Sequence, residues 1–280
     1  MCTAVSSLDE MDAFFDAVRC APQRALLLDY DGTLAPFHTN RQAALPYLGI
    51  PELLLSIIMG STHTRVVFIT GRPAMELKSL LPFVPAPEIW GSHGLERVNP
   101  DGSYHLAKIP RPAKQLLEAI GGRLEDEGMG AYMERKPGSV AVHWRGLSNS
   151  SVEDVRERTL RVWNDLNPST PTAGVPGTPL RRQNWVFLSD FDGGLEFRLR
   201  MRNKGDVVNQ IISELDSSTP VAYLGDDLTD EDAFKVLKDR GLSVLVREEY
   251  RPTAAKTWIR PPQGVLDFLA EWLQACGERV

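Results

Sequence analysis

Leu26-Leu27-Leu28-Asp29-Tyr30-Asp31-Gly32-Thr33-Leu34 runs an apolar strand directly into two aspartates two residues apart. On an extended chain such residues point to the same side. Asp29 and Asp31 therefore present both carboxylates to one small crevice, and Gly32 lets the backbone turn away behind them. One carboxylate can attack an electrophile such as phosphorus, while its neighbour carries a proton to and from the leaving and attacking oxygens. Taken alone, the segment reads equally well as a strand followed by an Asp-rich turn, since Asp and Gly are ordinary turn residues. The rest of the chain decides between the two.

Around this strand, helices and strands alternate. Upstream, Ser7-Leu8-Asp9-Glu10 resembles a capping box before an amphipathic helix with Met11, Phe14, Phe15 and Val18 on its apolar face. Downstream the sequence predicts a helix over 51–59, a buried strand over 65–70, a helix over 73–81 with proline in its first turn, and a short strand over 88–90. The alternation returns late, with helices over 204–215, 231–238 and 265–276 and strands over 221–224 and 242–246. Such alternation implies a parallel sheet, so both ends of the chain are expected to build one α/β core from residues 1–102 and 194–280. The middle reads differently. After the turn Asn99-Pro100-Asp101-Gly102 come a helix over 113–125, strands over 132–135 and 140–144 around Pro137-Gly138, and a helix over 152–166. A Pro/Gly/Thr-rich loop over 168–179 follows, then strands over 185–188 and 195–200 around Asp192-Gly193-Gly194. This is read as an α+β domain inserted at residues 103–193.

With 280 residues, 42% of them hydrophobic, the chain is long enough for one large domain or two ordinary ones of a soluble protein. A net charge of -6 argues against a nucleic-acid partner, and an anionic substrate would need a local basic site. Cys2, Cys20 and Cys276 are odd in number, far apart and without CxxC spacing, which points away from disulfides and zinc and toward a reducing cytoplasm. Asp9, Glu10 and Asp12 stand where a signal peptide carries lysines, and no apolar run reaches the roughly 18 residues of a membrane helix, so no membrane association is expected. A monomer is expected.

Four polar clusters fall where core strands should end: Asp29/Asp31, Thr70-Gly71-Arg72, Lys204, and Gly225-Asp226-Asp227-Leu228-Thr229-Asp230. Ligands of an open α/β sheet bind beyond the carboxyl ends of its strands, so the four could meet in one crevice. The Thr70 hydroxyl and the backbone N–H groups after it can cradle phosphate oxygens, Lys204 can neutralise developing charge, and Asp226 completes an oxygen-only cage suited to Mg²⁺. Such a cation would also screen Asp29 from the phosphate.

These clusters resemble, in order and spacing, the four motifs of the haloacid dehalogenase (HAD) superfamily of phosphatases, over nearly the whole chain. The resemblance implies a Rossmann-like parallel-sheet core with Asp29 as nucleophile, Asp31 as general acid/base, and Thr70, Gly71, Arg72 and Lys204 around the phosphate. Asp29, Asp226 and the backbone carbonyl of Asp31 would hold Mg²⁺, and Asp227 and Asp230 its bound water. The local wording is narrower. Asp29-Tyr30-Asp31-Gly32-Thr33-Leu34, Gly91-Ser92-His93-Gly94-Leu95-Glu96, Glu134-Arg135-Lys136-Pro137-Gly138-Ser139, His143-Trp144-Arg145 and Gly225-Asp226-Asp227-Leu228-Thr229-Asp230-Glu231-Asp232-Ala233-Phe234 are similar to trehalose-6-phosphate phosphatases. That family carries a C2-type cap between its second and third motifs and hydrolyses trehalose 6-phosphate to trehalose and phosphate in trehalose biosynthesis. The resemblance assigns Glu134, Lys136, Ser139 and Glu196 to the sugar hydroxyls, and adds Ser92, His93, Gly94 and Arg145 as substrate contacts. Trp144 or Trp185 could offer a stacking face. Leu199 stands where the family usually has proline, and Trp144 where tyrosine is commoner. These departures bear on sugar choice. The alternatives are a phosphatase of another sugar phosphate, such as a glycosylglycerate or amino-sugar phosphate, a phosphomutase, or an inactive HAD regulatory module.

Other features have plainer readings. His38, His63 and His105 are taken as surface or structural, Arg181-Arg182 as a solvated edge, and Asp230-Glu231-Asp232 equally as site residues or as favourable charge at a helix N-terminus. Gly121-Gly122 and Gly128-Met129-Gly130 follow a helix rather than a buried strand, so neither is a dinucleotide loop.

Overall fold

The computed structural model describes residues 8–38, 40–60, 63–81, 83–166, 185–191 and 193–277. Ser7, Cys2, the loop expected at 168–179, Arg181-Arg182 and Asp192 lie outside the described residues. The chain forms two units, one from residues 1–106 and 202–280, the other from residues 107–201. In chain order the first stretch contains α1 (Leu8–Cys20), β1 (Arg24–Leu28), α2 (Ile50–Gly60), β2 (Thr64–Ile69), α3 (Ala74–Leu80), β3 (Glu88–Gly91), β4 (Glu96–Val98) and β5 (Tyr104–Leu106). The second unit contributes α4 (Arg111–Asp126), β6 (Met133–Lys136), β7 (Ser139–His143), α5 (Asn149–Leu166), β8 (Val186–Phe191) and β9 (Gly194–Leu199). The chain then returns with α6 (Lys204–Ser213), β10 (Val221–Gly225), α7 (Glu231–Leu237), β11 (Leu242–Val246), β12 (Thr257–Ile259) and α8 (Gln263–Ala275).

The larger unit is an eight-stranded sheet in the order β12-β11-β10-β1-β2-β3-β4-β5. From β12 to β3 every pairing is parallel, and β4 and β5 add an antiparallel hairpin at one edge. Its strands β1, β3, β10 and β11 are buried along their whole length, which is why continuous apolar runs rather than alternating ones build the middle of the sheet. Leu26, Leu28, Phe68 and Leu224 pack with residues of α1, α2, α3 and α8 on one face. Ala25, Leu27, Val67 and Tyr223 pack with α6 and α7 on the other. The central position of β1, between β10 and β2, places its carboxyl end at the middle of the sheet's edge.

The smaller unit is an antiparallel sheet in the order β6-β7-β9-β8, with α4 and α5 covering one face. Here the strands do alternate. Val140, Val142, Phe197 and Leu199 face the helices, while Glu134, Ser139, Glu196 and Arg198 carry the intervening polar positions.

Both expected domain boundaries move. Asn99-Pro100-Asp101-Gly102 is the turn of the β4–β5 hairpin, closed by Asn99 N–H to the Ser103 carbonyl at 2.9 Å, so residues up to 106 stay with the larger sheet. β9 pairs with β7 and β8, so residues 194–201 belong to the smaller unit rather than the core. In each case a hairpin turn reads in sequence like a junction, because both use the same Gly/Asp/Pro chemistry.

Trp272 of α8 is fully buried, with ring centroids of Phe14 and Phe268 at 6.1 and 6.3 Å, and its indole N–H has no hydrogen-bond acceptor among the described residues. Trp272→Ala should cost about 3–5 kcal/mol through the cavity it leaves. Trp272→Phe should cost clearly less, since no hydrogen bond is lost. Urea unfolding of the two variants, followed by circular dichroism, checks the difference; equal losses would show that the indole N–H is satisfied in solution.

Candidate active site

β1 ends at Leu28 and Asp29 N–H still pairs with the Leu224 carbonyl at 2.9 Å, so the extended backbone persists into the motif. Alternation then sends Tyr30 into the core, where it is fully buried and its hydroxyl donates to the Ala44 carbonyl at 2.7 Å. Asp29 and Asp31 take the other side. Gly32 has φ of +77°, and a Cβ there would lie 2.2 Å from Asp226 Oδ2. Only glycine fits both the left-handed backbone and the close approach of the β10 loop.

Lys204 is placed by a capping box in which Asn203 Oδ1 accepts from Asp206 N–H at 2.8 Å and Asp206 returns the bond to Asn203 N–H at 3.0 Å. Its ammonium, 2% exposed, lies 2.9 Å from Asp29 and 2.7 Å from Asp230. Asp230 is saturated: it accepts from Lys204, from the Tyr223 hydroxyl, and from the N–H groups of Asp226 at 3.1 Å and Asp227 at 2.9 Å. Asp226 is the opposite case. It is buried, and neither carboxylate oxygen has a hydrogen-bond partner among the described residues.

Asp29, Asp226 and Asp230 each offer a carboxylate oxygen, all within 4.8 Å of one another. Burial pushes the Asp29 carboxyl up to about 7 against the lowering pull of Lys204, with Asp230 and Asp31 adding to the rise. Burial, then Asp29, Asp230 and Asp227, drive Asp226 well above the carboxylate range. Burial would lower Lys204, but Asp230 and Asp29 outweigh it and hold the ammonium charged. Three buried carboxylates face one ammonium. The unpartnered oxygens of Asp226 and this charge imbalance fit a hard divalent cation, which takes oxygen ligands.

Of the residues expected at the phosphate, Thr70 is buried and its hydroxyl oxygen accepts from Arg72 N–H at 3.1 Å, leaving its proton to donate elsewhere. The Arg72 side chain has partners of its own. Its guanidinium grips Asp31 through two bonds of 2.6 Å and reaches Glu76 at 2.7 Å, over the ring of Tyr30. The guanidinium thus clamps the expected proton carrier. Gly71 packs against the His93 ring, where a Cβ would lie 2.8 Å from it. Ser92 and His93 both adopt left-handed backbone, φ 48° and 55°, which costs on the order of 1–3 kcal/mol each. That strain is held by Ser92 N–H to the Arg72 carbonyl at 2.7 Å, His93 N–H to the Thr70 carbonyl at 3.0 Å, and the Ser92 hydroxyl on buried Glu96 at 2.5 Å. Gly94 continues the same turn against Val207 of α6. Asp227 stands outside the carboxylate trio.

In the smaller unit, register puts Glu134, Ala141 and Glu196 in one row and Lys136, Ser139 and Arg198 in the next, so all share one sheet face. Glu196 accepts from Lys136 at 2.9 Å and from the Ser139 hydroxyl at 2.7 Å, and Glu134 meets His143 Nε2 at 3.0 Å. The four residues expected at sugar hydroxyls therefore form one polar cluster. Arg145 stacks instead on Phe191, 5.9 Å from its ring centroid. Sequence reasoning missed His143 and Tyr223 as members of these networks; alternation along β7 and β10 was their only signal, and it does not say what a side chain meets.

Residues 190–258 match the trehalose-phosphatase family. A curated relative, the trehalose-phosphate phosphatase of Mycobacterium leprae, is 30% identical over 262 residues, covering 89% of this chain and 57% of its own length. The chain thus spans a little over half of that relative. The structure of the C. albicans trehalose-6-phosphate phosphatase C-terminal domain superposes with a TM-score of 0.74 at 20% identity, covering 99% of each chain. A haloacid dehalogenase-like hydrolase from Bacteroides thetaiotaomicron gives 0.59 at 14% identity over 88% of this chain and 98% of its own. These likenesses give the chain a HAD-like fold and tie residues 190–258 to the trehalose-phosphatase family. Asp29, Thr70 and Asp226 follow the ends of β1, β2 and β10, and Lys204 opens α6. No described helix is long and apolar enough to cross a membrane.

Asp226→Asn tests the charge balance. A carboxyl whose folded pKa lies above its unfolded value weakens the fold as pH rises between the two, so the substitution should raise the melting temperature of the metal-free protein increasingly with pH. It should also abolish stabilisation by a divalent cation, about 2.7 kcal/mol for the wild type at a hundredfold excess over Kd. Thermal melts with and without MgCl₂ check both; a variant still stabilised by the cation would exclude Asp226 as a ligand.

Proposed function

We propose that this chain is a Mg²⁺-dependent sugar-phosphate phosphatase that hydrolyses trehalose 6-phosphate to trehalose and phosphate. The observation that carries the reading is the pairing of Asp29 with the buried Lys204 ammonium beside the unpartnered carboxylate of Asp226, at the carboxyl end of a parallel sheet. Asp29 attacks phosphorus and forms an aspartyl phosphate, which water then hydrolyses. Lys204 and the Thr70 hydroxyl offset the charge that builds on the phosphoryl oxygens. Asp31 gives a proton to the leaving sugar oxygen and takes one from the attacking water. Because both of its oxygens are held by Arg72, that transfer requires the fork to open. Asp29 and Asp226, with the Asp31 carbonyl, would hold Mg²⁺, and Asp230, occupied by four donors, serves chiefly to fix Lys204 and the loop. When bound, the cation screens the nucleophile from the phosphate. A monomeric protein of the cytoplasm fits this role.

The substrate assignment draws on the family and on the polar face of the smaller sheet, where Glu134, Lys136, Ser139 and Glu196 offer carboxylates, an ammonium and a hydroxyl to a disaccharide's hydroxyl groups. A phosphate-release screen over sugar phosphates tests it, with trehalose 6-phosphate expected to rank above glucose 6-phosphate and glycosylglycerate phosphates. Labelled water separates the chemistries: label in the released phosphate marks hydrolysis, and an isomerised sugar without label marks a mutase. Asp29→Asn should abolish turnover with little effect on the fold, because an amide is a poor nucleophile; activity within about tenfold of wild type would remove Asp29 from that role.

Glu134→Ala addresses the sugar. If its carboxylate accepts hydroxyl bonds, the loss should be about 1.5–3 kcal/mol of transition-state stabilisation, roughly tenfold to more than a hundredfold in kcat/KM for trehalose 6-phosphate. Hydrolysis of p-nitrophenyl phosphate should barely change. Parallel losses on both substrates would show that Glu134 acts through its contact with His143 on the small sheet itself.

A further inference from the structure

The loop that carries Asp226 is held from two sides. On the amide side, the Asp230 carboxylate accepts the N–H groups of Asp226 and Asp227. On the carbonyl side, Nη2 of Arg251, from the β11–β12 connection, donates to the Asp227 carbonyl at 2.9 Å and the Asp226 carbonyl at 3.3 Å. Arg247 Nη1 approaches the Asp226 carbonyl at 3.4 Å. The other arm of Arg251 is fixed by Glu231, the first residue of α7, and by the Pro252 carbonyl at 3.1 Å. Glu231 in turn accepts from the Thr253 hydroxyl and from Ala254 N–H, each at 2.8 Å, which ties the connection to the start of α7.

The consequence falls on Asp226. Among the described residues its carboxylate has no hydrogen-bond partner, and none of them fixes the end of the side chain. Its direction is set by the two peptide groups on either side of Asp226: Asp230 holds the N–H of the first, and Arg251 the carbonyl of the second and that of the next peptide along. A planar guanidinium can reach two carbonyls and a carboxylate at once, which a lysine ammonium on a flexible stem does not reproduce.

We propose that Arg251 is a positioning residue for the divalent-cation site, locking the Asp226-Asp227 backbone so that the Asp226 carboxylate meets the cation preorganised. This rests on the reading of Asp226 as a cation ligand. Glu231 acts behind Arg251 by fixing the guanidinium's plane.

The test is a calorimetric titration of MgCl₂ into the full chain without substrate, for wild type, Arg251→Ala, Arg251→Lys and Arg240→Ala. Groups that orient a metal ligand typically contribute about 10- to 100-fold in affinity, so Arg251→Ala should weaken Mg²⁺ binding by that factor, and Arg251→Lys should restore only part of it. Arg240 is the matched control. Its guanidinium also donates to two carbonyls, Thr219 at 2.7 Å and Asp216 at 2.9 Å, but at the opposite ends of β10 and β11. Arg240→Ala should lower the melting temperature and leave Mg²⁺ affinity unchanged. Wild-type Mg²⁺ affinity in Arg251→Ala would overturn the proposal, as would equal weakening in Arg251→Ala and Arg240→Ala. Should Arg251→Ala fail to fold, Glu231→Gln, which loosens the fork but keeps the guanidinium, must show weakened Mg²⁺ binding, and unchanged binding would overturn the proposal. A wild type that binds no Mg²⁺ overturns the cation reading itself and this proposal with it.

Discussion

The ammonium of Lys204, buried between Asp29 and Asp230, is the interaction on which the rest of the site depends. Three buried carboxylates within 4.8 Å of one another would repel strongly in a medium of low effective dielectric. A buried ion pair of this kind adds little net stability, because desolvation of both partners offsets much of the attraction. Its value is geometric. Lys204 ties the start of α6 to the ends of β1 and β10, so three elements distant in sequence meet at one point, and the charge left over after pairing is negative. That residual charge is the property that suits the crevice to a cation and, through the cation, to a phosphate.

Two aspartates four residues apart take opposite parts in this arrangement. Asp230 accepts four hydrogen bonds and so behaves as a structural hub, holding Lys204, Tyr223 and two backbone N–H groups at once. Asp226 accepts none among the described residues, which leaves both of its oxygens open to the proposed cation. Sequence spacing cannot separate the two, since both are acidic residues in one short loop. What separates them is the backbone: the turn folds its N–H groups back onto Asp230, and the close approach to Gly32 leaves Asp226 aimed into the crevice.

Much of the core was legible in the sequence because its strands are buried on both faces. Arg65-Val66-Val67-Phe68-Ile69 and Val221-Ala222-Tyr223-Leu224 read as strands with no need of periodicity, and Gly-Asp-Asp and Thr-Gly-Arg mark their ends. The edges were not. β4, β5 and β12 are three residues each, and a strand that short has neither an apolar run nor a period to read. Of the site, the residue types and their approximate meeting point were legible, but their partners were not. Arg72 sits in a phosphate-loop wording, and nothing local reveals that its guanidinium turns to Asp31, because that contact joins β1 and β2 loops that sequence separation hides.

The Arg72 fork has a further meaning for how such a site avoids misfiring. Two carboxylates that share a crevice resist being ionised together, and the stable way to keep the second near the first is to give it a cation of its own. Arg72 does this for Asp31 as Lys204 does for Asp29, so each member of the pair is neutralised by a separate element, α3's approach for one and α6 for the other. Glu76, on the first turn of α3, then holds Arg72 from behind at 2.7 Å. The result is a chain of alternating charge, Glu76 to Arg72 to Asp31 beside Lys204 to Asp29, in which no carboxylate of the Asp29/Asp31 pair relies on the other's counterion. Under the proposed function, an entering phosphate would meet Asp29 already opposed by an ammonium, and Asp31 behind a guanidinium that has to release it before a proton moves.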